Sequence, residues 1–449
     1  MVDISVMHNG ATNLPLKEVE DDDGRTHIIP DASIREMHED CKEVIRDQIE
    51  HGVLAEKAGY DRVTWTEHHF QITGAEFSPA PILTGMAVAA QTDEIKIGQW
   101  ANIATWHDPI RLSEQIAMLD IVSDGRVEAG LGRGYQPREA EVLGEQYFGG
   151  TIQDQEKNRQ VYNESVDIIL EAWTKDMMSY NGHYHHVPPK HTKWHHLQEK
   201  MYLEDDVTEY DVENMMDWKE GDLYSKGDSW SAITAGGTTL KSLSVFPQPL
   251  QKPYPQLWVP ATSYRSIRVA AERGINAISF GDPSVDKKMQ MYMEAAEEAG
   301  WPDHRPEYDG QPFAYGYDEE RNRGIAIGRW IFNVDLADDE TYERWKQGLE
   351  HGWNYFGPFG FQRAFVDDPS ERATAEMLLD ERVAIAGDTD FIINAIAEMK
   401  EEAGTEDLSL CCFFETAGLS GEEANNQLEG MAEKVFPYLR EQFPSPEQR

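Results

Sequence analysis

Apolar positions along the chain follow two alternating rhythms: short continuous apolar runs, then longer stretches in which apolar residues recur every three or four positions. That alternation predicts strands followed by amphipathic helices. Ile4–Met7 is the first run, and Met37, Cys41, Val44, Ile45, Val53 and Leu54 share a helical face ending near Gly59. Val63–Thr66 is the second strand. Its helix is expected to open at Ser78 and Pro79, a side-chain cap followed by a proline whose missing N–H costs nothing in a first turn. Ile95–Ile103 precedes the same kind of start at Asp108 and Pro109, with Leu112, Ile116 and Leu119 as the buried face. Arg126–Leu131 is the fourth strand, followed by helical material that includes Val161, Ile168, Ile169, Ala172 and Trp173.

The rhythm then lapses. Residues 188–239 are rich in His, Asp, Glu, Trp and Met, and they read as an acidic insertion between strands 4 and 5. The prolines of FPQPLQKPYPQLWVP hold an extended entry into a fifth strand, Leu257–Val259. A helix Ser263–Arg273, a strand Ala277–Phe280, a helix Val285–Ala299 and a strand Ile325–Val334 come next. Helices near 338–351 and 388–402, a strand Leu408–Phe414 and a closing helix Glu422–Phe443 complete the series. Eight βα units in order, with no break into two halves, predict an α/β fold of the (β/α)8 TIM-barrel type, one domain over residues 1–449, rather than a doubly wound sheet.

Composition narrows the partners. The 449 residues carry 82 acidic against 40 basic side chains, a formal charge of −42. Such a field repels phosphate backbones and anionic headgroups, which argues against nucleic acid and membrane surfaces. The N-terminal stretch has no basic segment leading into an apolar core, and no apolar run is long enough to span a bilayer. Of the three cysteines, Cys411 and Cys412 are adjacent, a poor geometry for a mutual disulfide, so a reducing, cytoplasmic setting is expected.

In a barrel of this kind the loops after the C-terminal strand ends build the active site. Four of them carry unusual chemistry: Glu67-His68-His69-Phe70, Trp106-His107-Asp108-Pro109, Gly132-Arg133-Gly134-Tyr135 and Ala261-Thr262-Ser263-Tyr264-Arg265-Ser266. Arg133 between glycines suits an anion approaching the backbone, and Ser263 and Ser266 sit at a helix start whose N–H groups and hydroxyls donate. Together they form a candidate phosphate cradle. The plainer alternative is an ordinary N-cap beside turn glycines. GLGRG is not GxGxxG and falls at strand 4, so a dinucleotide site of the Rossmann type is not expected.

His68, next to Glu67, is placed to hydrogen-bond a reacting group or give up a proton near neutral pH; a buried structural histidine is the alternative. The EHH run lacks the i, i+4 spacing of a helical metal site. The segment with His183, His185, His186, His191, His195 and His196 has no thiolate or fixed ligand spacing and reads as a surface loop or lid, so no metal site is predicted. Trp65, Trp100, Trp106 and Tyr135 near strand ends suit an aromatic pocket and suit core packing equally.

At these residues the chain resembles the bacterial luciferase-like flavin-dependent monooxygenases. The matching segments are YDRVTWTEHHF, IKIGQWANIATWHDPIRLSEQIAMLDIVSDGRVEAGLGRGYQPREAEVLGE and PQPLQKPYPQLWVPATSYRSIRVAAERG, and more loosely VAIAGDTDFIINAIAEM with EKVFPYLR. The resemblance implies a barrel that binds reduced FMN or, in a related branch, the deazaflavin F420. It implies that Arg133 and the helix start from Ser263 to Ser266 hold the flavin phosphate, that Gly134, Tyr135 and Thr262 also bind the cofactor, and that His68 is the active-site histidine. It also implies a non-prolyl cis peptide at Trp100–Ala101, beneath the flavin ring. Gly132 stands where the light-emitting enzymes carry a reactive cysteine, so light emission is not expected. The resemblance further implies oxygenation of a small organic substrate by a homodimer, with reduced FMN supplied by a separate flavin reductase. An F420-dependent hydride-transfer oxidoreductase and a non-catalytic partner subunit are the alternatives.

Overall fold

A computed structural model describes residues 2–144, 153–189, 192–194, 216–217, 238–261, 263–281, 284–299, 324–357, 372–404 and 408–444. Eight parallel strands close on themselves: β1 (Val2–Met7), β2 (Arg62–Trp65), β3 (Lys96–Ile103), β4 (Val127–Gly132), β5 (Gln256–Pro260), β6 (Asn276–Ser279), β7 (Ile325–Asn333) and β8 (Leu408–Phe413). Each pairs with its successor, and β8 returns to β1 through Val2–Leu408 to Val6–Cys412. The fold is a TIM barrel. Nearly all strand positions are buried, as expected where the interior is filled and helices cover the outside.

The side chains of alternate strand positions make the interior. Met7, Trp100, Trp258, Ile278, Ala326, Cys411 and Phe413 form one cluster, with Phe280 and Trp330 packed against it. Trp330 stacks on Phe413 with ring centroids 4.4 Å apart. At the N-terminal ends of the strands Arg62 is wholly buried, donating to Asp3 at 2.6 Å and to Glu128 at 2.8 and 3.0 Å. Its guanidinium lies over the indoles of Trp100 and Trp258, 5.4 and 5.5 Å from the ring centroids.

The helices agree with the sequence pattern in the main. α1 (Ile34–Ala58) opens on a Ser33–Glu36 capping box and stops at Gly59, whose φ of 83° is the left-handed conformation that glycine adopts without penalty. α2 (Pro81–Ala89) departs from expectation. Its N-cap is Ala80 with no side-chain bond, and Pro81 rather than Pro79 fills the first turn. Ser78 instead gives its carbonyl to the backbone N–H of His68, 3.0 Å away. α3 is Pro109–Val122, α4 Gln155–Thr174, α5 Tyr264–Glu272, α6 Val285–Ala299, α7 Asp339–Phe356, α8 Thr389–Ala403 and α9 Gly421–Lys434. The expected single closing helix is broken at Val435, and a short helix Phe436–Gln442 restarts with proline in its first turn.

Several elements lie outside the eight-fold pattern. Leu16–Glu20 and Thr26–Pro30 form an antiparallel hairpin after β1, and Ala384–Gly387 adds a ninth strand to the far end of β7. The chain divides into two compact units. The first, residues 1–103, 119–139 and 255–449, contains the whole barrel. The second comprises residues 104–118 and 140–254. Within it Ile168, Ala172, Met178 and Val245 form a small core, and Trp173 donates to the carbonyl of Ser113 at 3.0 Å. Most of the expected insertion at 188–239 lies outside the described residues.

Candidate active site

The loop after β2 is drawn inward by two carboxylates. Glu67 donates its backbone N–H to Ala101 at 3.0 Å and accepts from the backbone of Ile103 at 2.6 Å, so one residue clamps both sides of an irregular stretch of β3. The register between β3 and β4 shifts between Gln99 and Asn102, and within that bulge the Trp100–Ala101 peptide is cis. The other oxygen of Glu67 receives the ring of His69 at 3.0 Å, and the backbone N–H of His69 donates to Glu139 at 2.6 Å. Glu67 thus hydrogen-bonds His69 and reaches the neighbouring His68 through its charge.

His68 has partners of its own. Its Nε2 lies 3.1 Å from Glu76 and its Nδ1 3.7 Å from Glu139. Gln136 stands 3.3 Å from Nδ1, and the rings of Tyr135 and Phe356 are 6.3 and 6.0 Å away, centroid to centroid. Burial alone would lower the imidazole pKa, but the carboxylates of Glu76, Glu139 and Glu67 outweigh it and push His68 up to about 9. Burial in turn raises Glu76, with His68 and Asn9 holding it back. Asn9 gives its amide to Glu76 at 2.7 Å, and its backbone N–H donates to Glu415, which also pairs with His8. Glu76, Glu139 and Glu415 were missed from sequence. Glu76 and Glu139 stand on the two chemistry-bearing loops after β2 and β4, and that shared placement is the signal that points to them.

Arg133 and the start of α5 come after the C-terminal ends of neighbouring strands. The register runs to Gly130 opposite Trp258, three residues before Arg133 and five before Ser263. Arg133 is half-buried and is followed by Gly134 at φ 76°, a turn that only glycine makes cheaply. Ser263 and Ser266 form a capping box, with Ser266 N–H donating to Ser263 Oγ at 3.2 Å and Ser266 Oγ to the Ser263 carbonyl at 2.7 Å. Their hydroxyls are thus first of all a cap, and the backbone N–H groups of the first turn carry the anion-binding character. Thr262 lies outside the described residues.

The aromatic residues separate. Trp100 is fully buried and stacks on Trp258 at 4.3 Å in the barrel interior, and Trp65 packs beside Gly52 and Val88 on the helical side. Both are core residues, whereas Tyr135 stays beside His68. Among the described histidines of the His-rich segment, His185 pairs with Glu164 at 3.2 Å, and Glu164 also accepts the backbone N–H groups of His183, Tyr184 and His185. That is a carboxylate tying down a turn. His191, His195 and His196 lie outside the described residues. Among the described residues no group of three or more His, Cys, Asp or Glu side chains is arranged to hold a metal ion.

Residues 27–199 match the family model of the luciferase-like monooxygenases. Over that stretch, less than half of the chain, the sequence is similar to the luciferase-like monooxygenases. It is 23% identical to the oxygenase component of a flavin-dependent trigonelline monooxygenase from Acinetobacter baylyi, over 89% of this chain and 91% of that protein. An uncharacterized protein of Sinorhizobium fredii, y4vJ, is 31% identical over 35% of this chain, and this chain spans only 42% of it. A second uncharacterized S. fredii protein is covered to 41%. Among solved structures, the oxygenating constituent of 3,6-diketocamphane monooxygenase from Pseudomonas putida, in complex with FMN, superposes with a TM-score of 0.63 at 21% identity, covering 97% of this chain and 98% of that one. That likeness establishes the shared barrel. Two F420-dependent glucose-6-phosphate dehydrogenases, from Amycolatopsis mediterranei and Segniliparus rotundus, are 33% and 29% identical over 32% and 31% of this chain.

Proposed function

We propose that this chain is a luciferase-like monooxygenase, the oxygenase half of a two-component system. It would take reduced FMN from a separate flavin reductase and use O2 to oxygenate a small organic substrate. The observation that carries the reading is the convergence of four features at one end of the barrel: His68 between Glu76 and Glu139, the irregular Trp100–Ala101 stretch, Arg133 between glycines, and the capped start of α5. The relatives described as an oxygenase component and an oxygenating constituent support the two-component part.

The residues present fit a flavin mononucleotide. A guanidinium and the N–H groups of a helix start on adjacent strands are the donor set a terminal phosphate needs, and they supply local positive charge against a global −42. Reduced flavin would bring the electrons for oxygen activation; the protein's share is binding, orientation and exclusion of water. His68, charged at neutral pH, would steady negative charge developing on oxygen at the mouth and return a proton to it. Homodimer formation is supported by apolar side chains left exposed on α1, α2 and α3, among them Ile45, Leu83, Ile121 and Val122.

A second reading, hydride transfer with F420, is favoured by the 33% identity to an F420-dependent glucose-6-phosphate dehydrogenase from Amycolatopsis mediterranei over 146 residues. Equilibrium dialysis against reduced FMN and reduced F420 separates the two: preference for FMN is expected, and preference for F420 rejects the oxygenase reading. In single turnover with pre-reduced FMN, His68→Ala should lower the oxygenation rate about 100-fold or more while flavin still binds. An unchanged rate removes His68 from the chemistry.

A further inference from the structure

The polar chain around His68 has a direction, and one end of it is fixed. Arg138, at the exposed end, can only donate. Its Nη2 lies 3.2 Å from the hydroxyl of Tyr355, which therefore accepts. Tyr355 has one proton to give, and Oε1 of Gln136 lies 3.3 Å away. With Oε1 on the Tyr355 side, the Gln136 amide presents Nε2 to His68, 3.3 Å from Nδ1. An N–H on that side needs a bare Nδ1. The ring proton is then left on Nε2, which lies at ion-pair distance, 3.1 Å, from Oε2 of Glu76, while Asn9 donates to the other carboxylate oxygen at 2.7 Å. The ring of Tyr135 stands beside the same imidazole, 6.3 Å away centroid to centroid.

The carboxylates pull the other way. Glu76 and Glu139 face the imidazole, and with the more remote charge of Glu67 they favour its doubly protonated form. That form has a proton on Nδ1, which meets the donor face of Gln136 unless the amide turns over and presents Oε1. Turning over takes the acceptor away from Tyr355. The protonation state of His68 and the orientation of Gln136 are two aspects of one equilibrium.

We propose that Gln136, oriented by Tyr355 and Arg138, is a positioning residue that holds the single proton of neutral His68 on Nε2, facing Glu76, and turns over when the ring takes a second proton. The inference rests on reading His68 as the acid–base residue of the site, and it extends that reading to a surface-connected relay the sequence did not suggest.

The experiment is a titration of the full chain, labelled with 15N-histidine and without flavin, from about pH 6 to pH 11. The His68 signals are identified by their loss in His68→Asn. In the wild type, the high-pH form should show an unprotonated Nδ1 and a protonated Nε2. Tyr355→Phe removes the group that orients the amide and should raise the His68 pKa by about half a unit to one unit. Gln136→Leu should raise it as well, and Glu76→Gln should lower it. A neutral ring protonated on Nδ1, or a Tyr355→Phe pKa that stays put or falls, overturns the proposal. Flavin binding is measured separately on the wild type, so its failure would strike the oxygenase reading and leave the relay standing or falling on the titration.

Discussion

His68 stores its charge in the folded state, and that has a thermodynamic consequence at the scale of one residue. Its pKa is raised from an ordinary 6.5 to about 9, against burial, by Glu76 and Glu139. Between those two values the folded chain binds a proton that the unfolded chain has lost, so the contribution to stability is fully present below pH 6.5 and is lost as pH rises through about 9. Its size is on the order of 3 kcal/mol. Urea denaturation of wild type and His68→Gln across this window should show the variant with a flatter alkaline decline; parallel curves would mean that the field of the carboxylates does not reach the ring. His51 and His351 act in the opposite sense, because burial lowers both and their contribution fades as pH falls below 6.5. Part of this was legible in the sequence. His68, Arg133 and Ser263 are the unusual residues of loops that strand order brings to one end, so composition singles them out. Glu76 and Glu139 are ordinary glutamates in a chain with 82 acidic residues, and only burial and distance reveal them.

At the scale of elements, the approach of β4 to the bulge in β3 is what gives the site its floor. A Cβ on Gly130 would fall 1.9 Å from the carbonyl oxygen of Gln99 and 2.8 Å from Cα of Trp100, both backbone atoms with no rotamer to yield. Gly130→Ala should therefore cost on the order of 3 kcal/mol or more and disturb the segment that Glu67 clamps. Gly352→Ala, in α7 with nothing within 4 Å of the added carbon, is the control and should be neutral or stabilising by up to about 1 kcal/mol. Equal urea midpoints for the two variants would show that β3 shifts freely. The strands were readable because their apolar runs are short and regularly spaced, and α1 because Gly59 punctuates a long 3.6-residue face. The hairpin at 16–30 was not: its strands are mostly exposed, and LKEVE and THIIP bury too little to leave an alternating pattern. The Ser78–Pro79 start failed for a different reason, since the Ser78 carbonyl is claimed by His68 and the chain reaches Pro81 before it turns helical.

At the scale of the molecule, closing eight strands requires distant segments to agree on one register, and the N-terminal end of the barrel supplies a charged knot that enforces it. Arg62 on β2 reaches Asp3 on β1 and Glu128 on β4, while Ser409 on β8 donates to Asp3 at 3.1 Å. Three strands meet at one guanidinium, and β8 joins them through the carboxylate of Asp3, so that sequence positions as far apart as 3 and 409 are tied together. Coulomb attraction to Asp3 and Glu128 outweighs burial and raises the Arg62 pKa, so it stays charged. Glu128 has Lys96 as a further, half-exposed partner at 3.4 Å, whereas the Ser409 hydroxyl that serves Asp3 brings no charge. Removing the cation in Arg62→Met should therefore take the buried charge away from two buried carboxylates, leaving Glu128 with half-exposed Lys96, and cost about 3–5 kcal/mol. Adding Asp3→Asn and Glu128→Gln should restore most of that loss, because the cost lies in the uncompensated charges rather than in the missing pair. If the triple variant is as unstable as Arg62→Met in urea denaturation, the weight rests instead on the packing of the guanidinium against Trp100 and Trp258, and the barrel's base is held by aromatic contact rather than by charge.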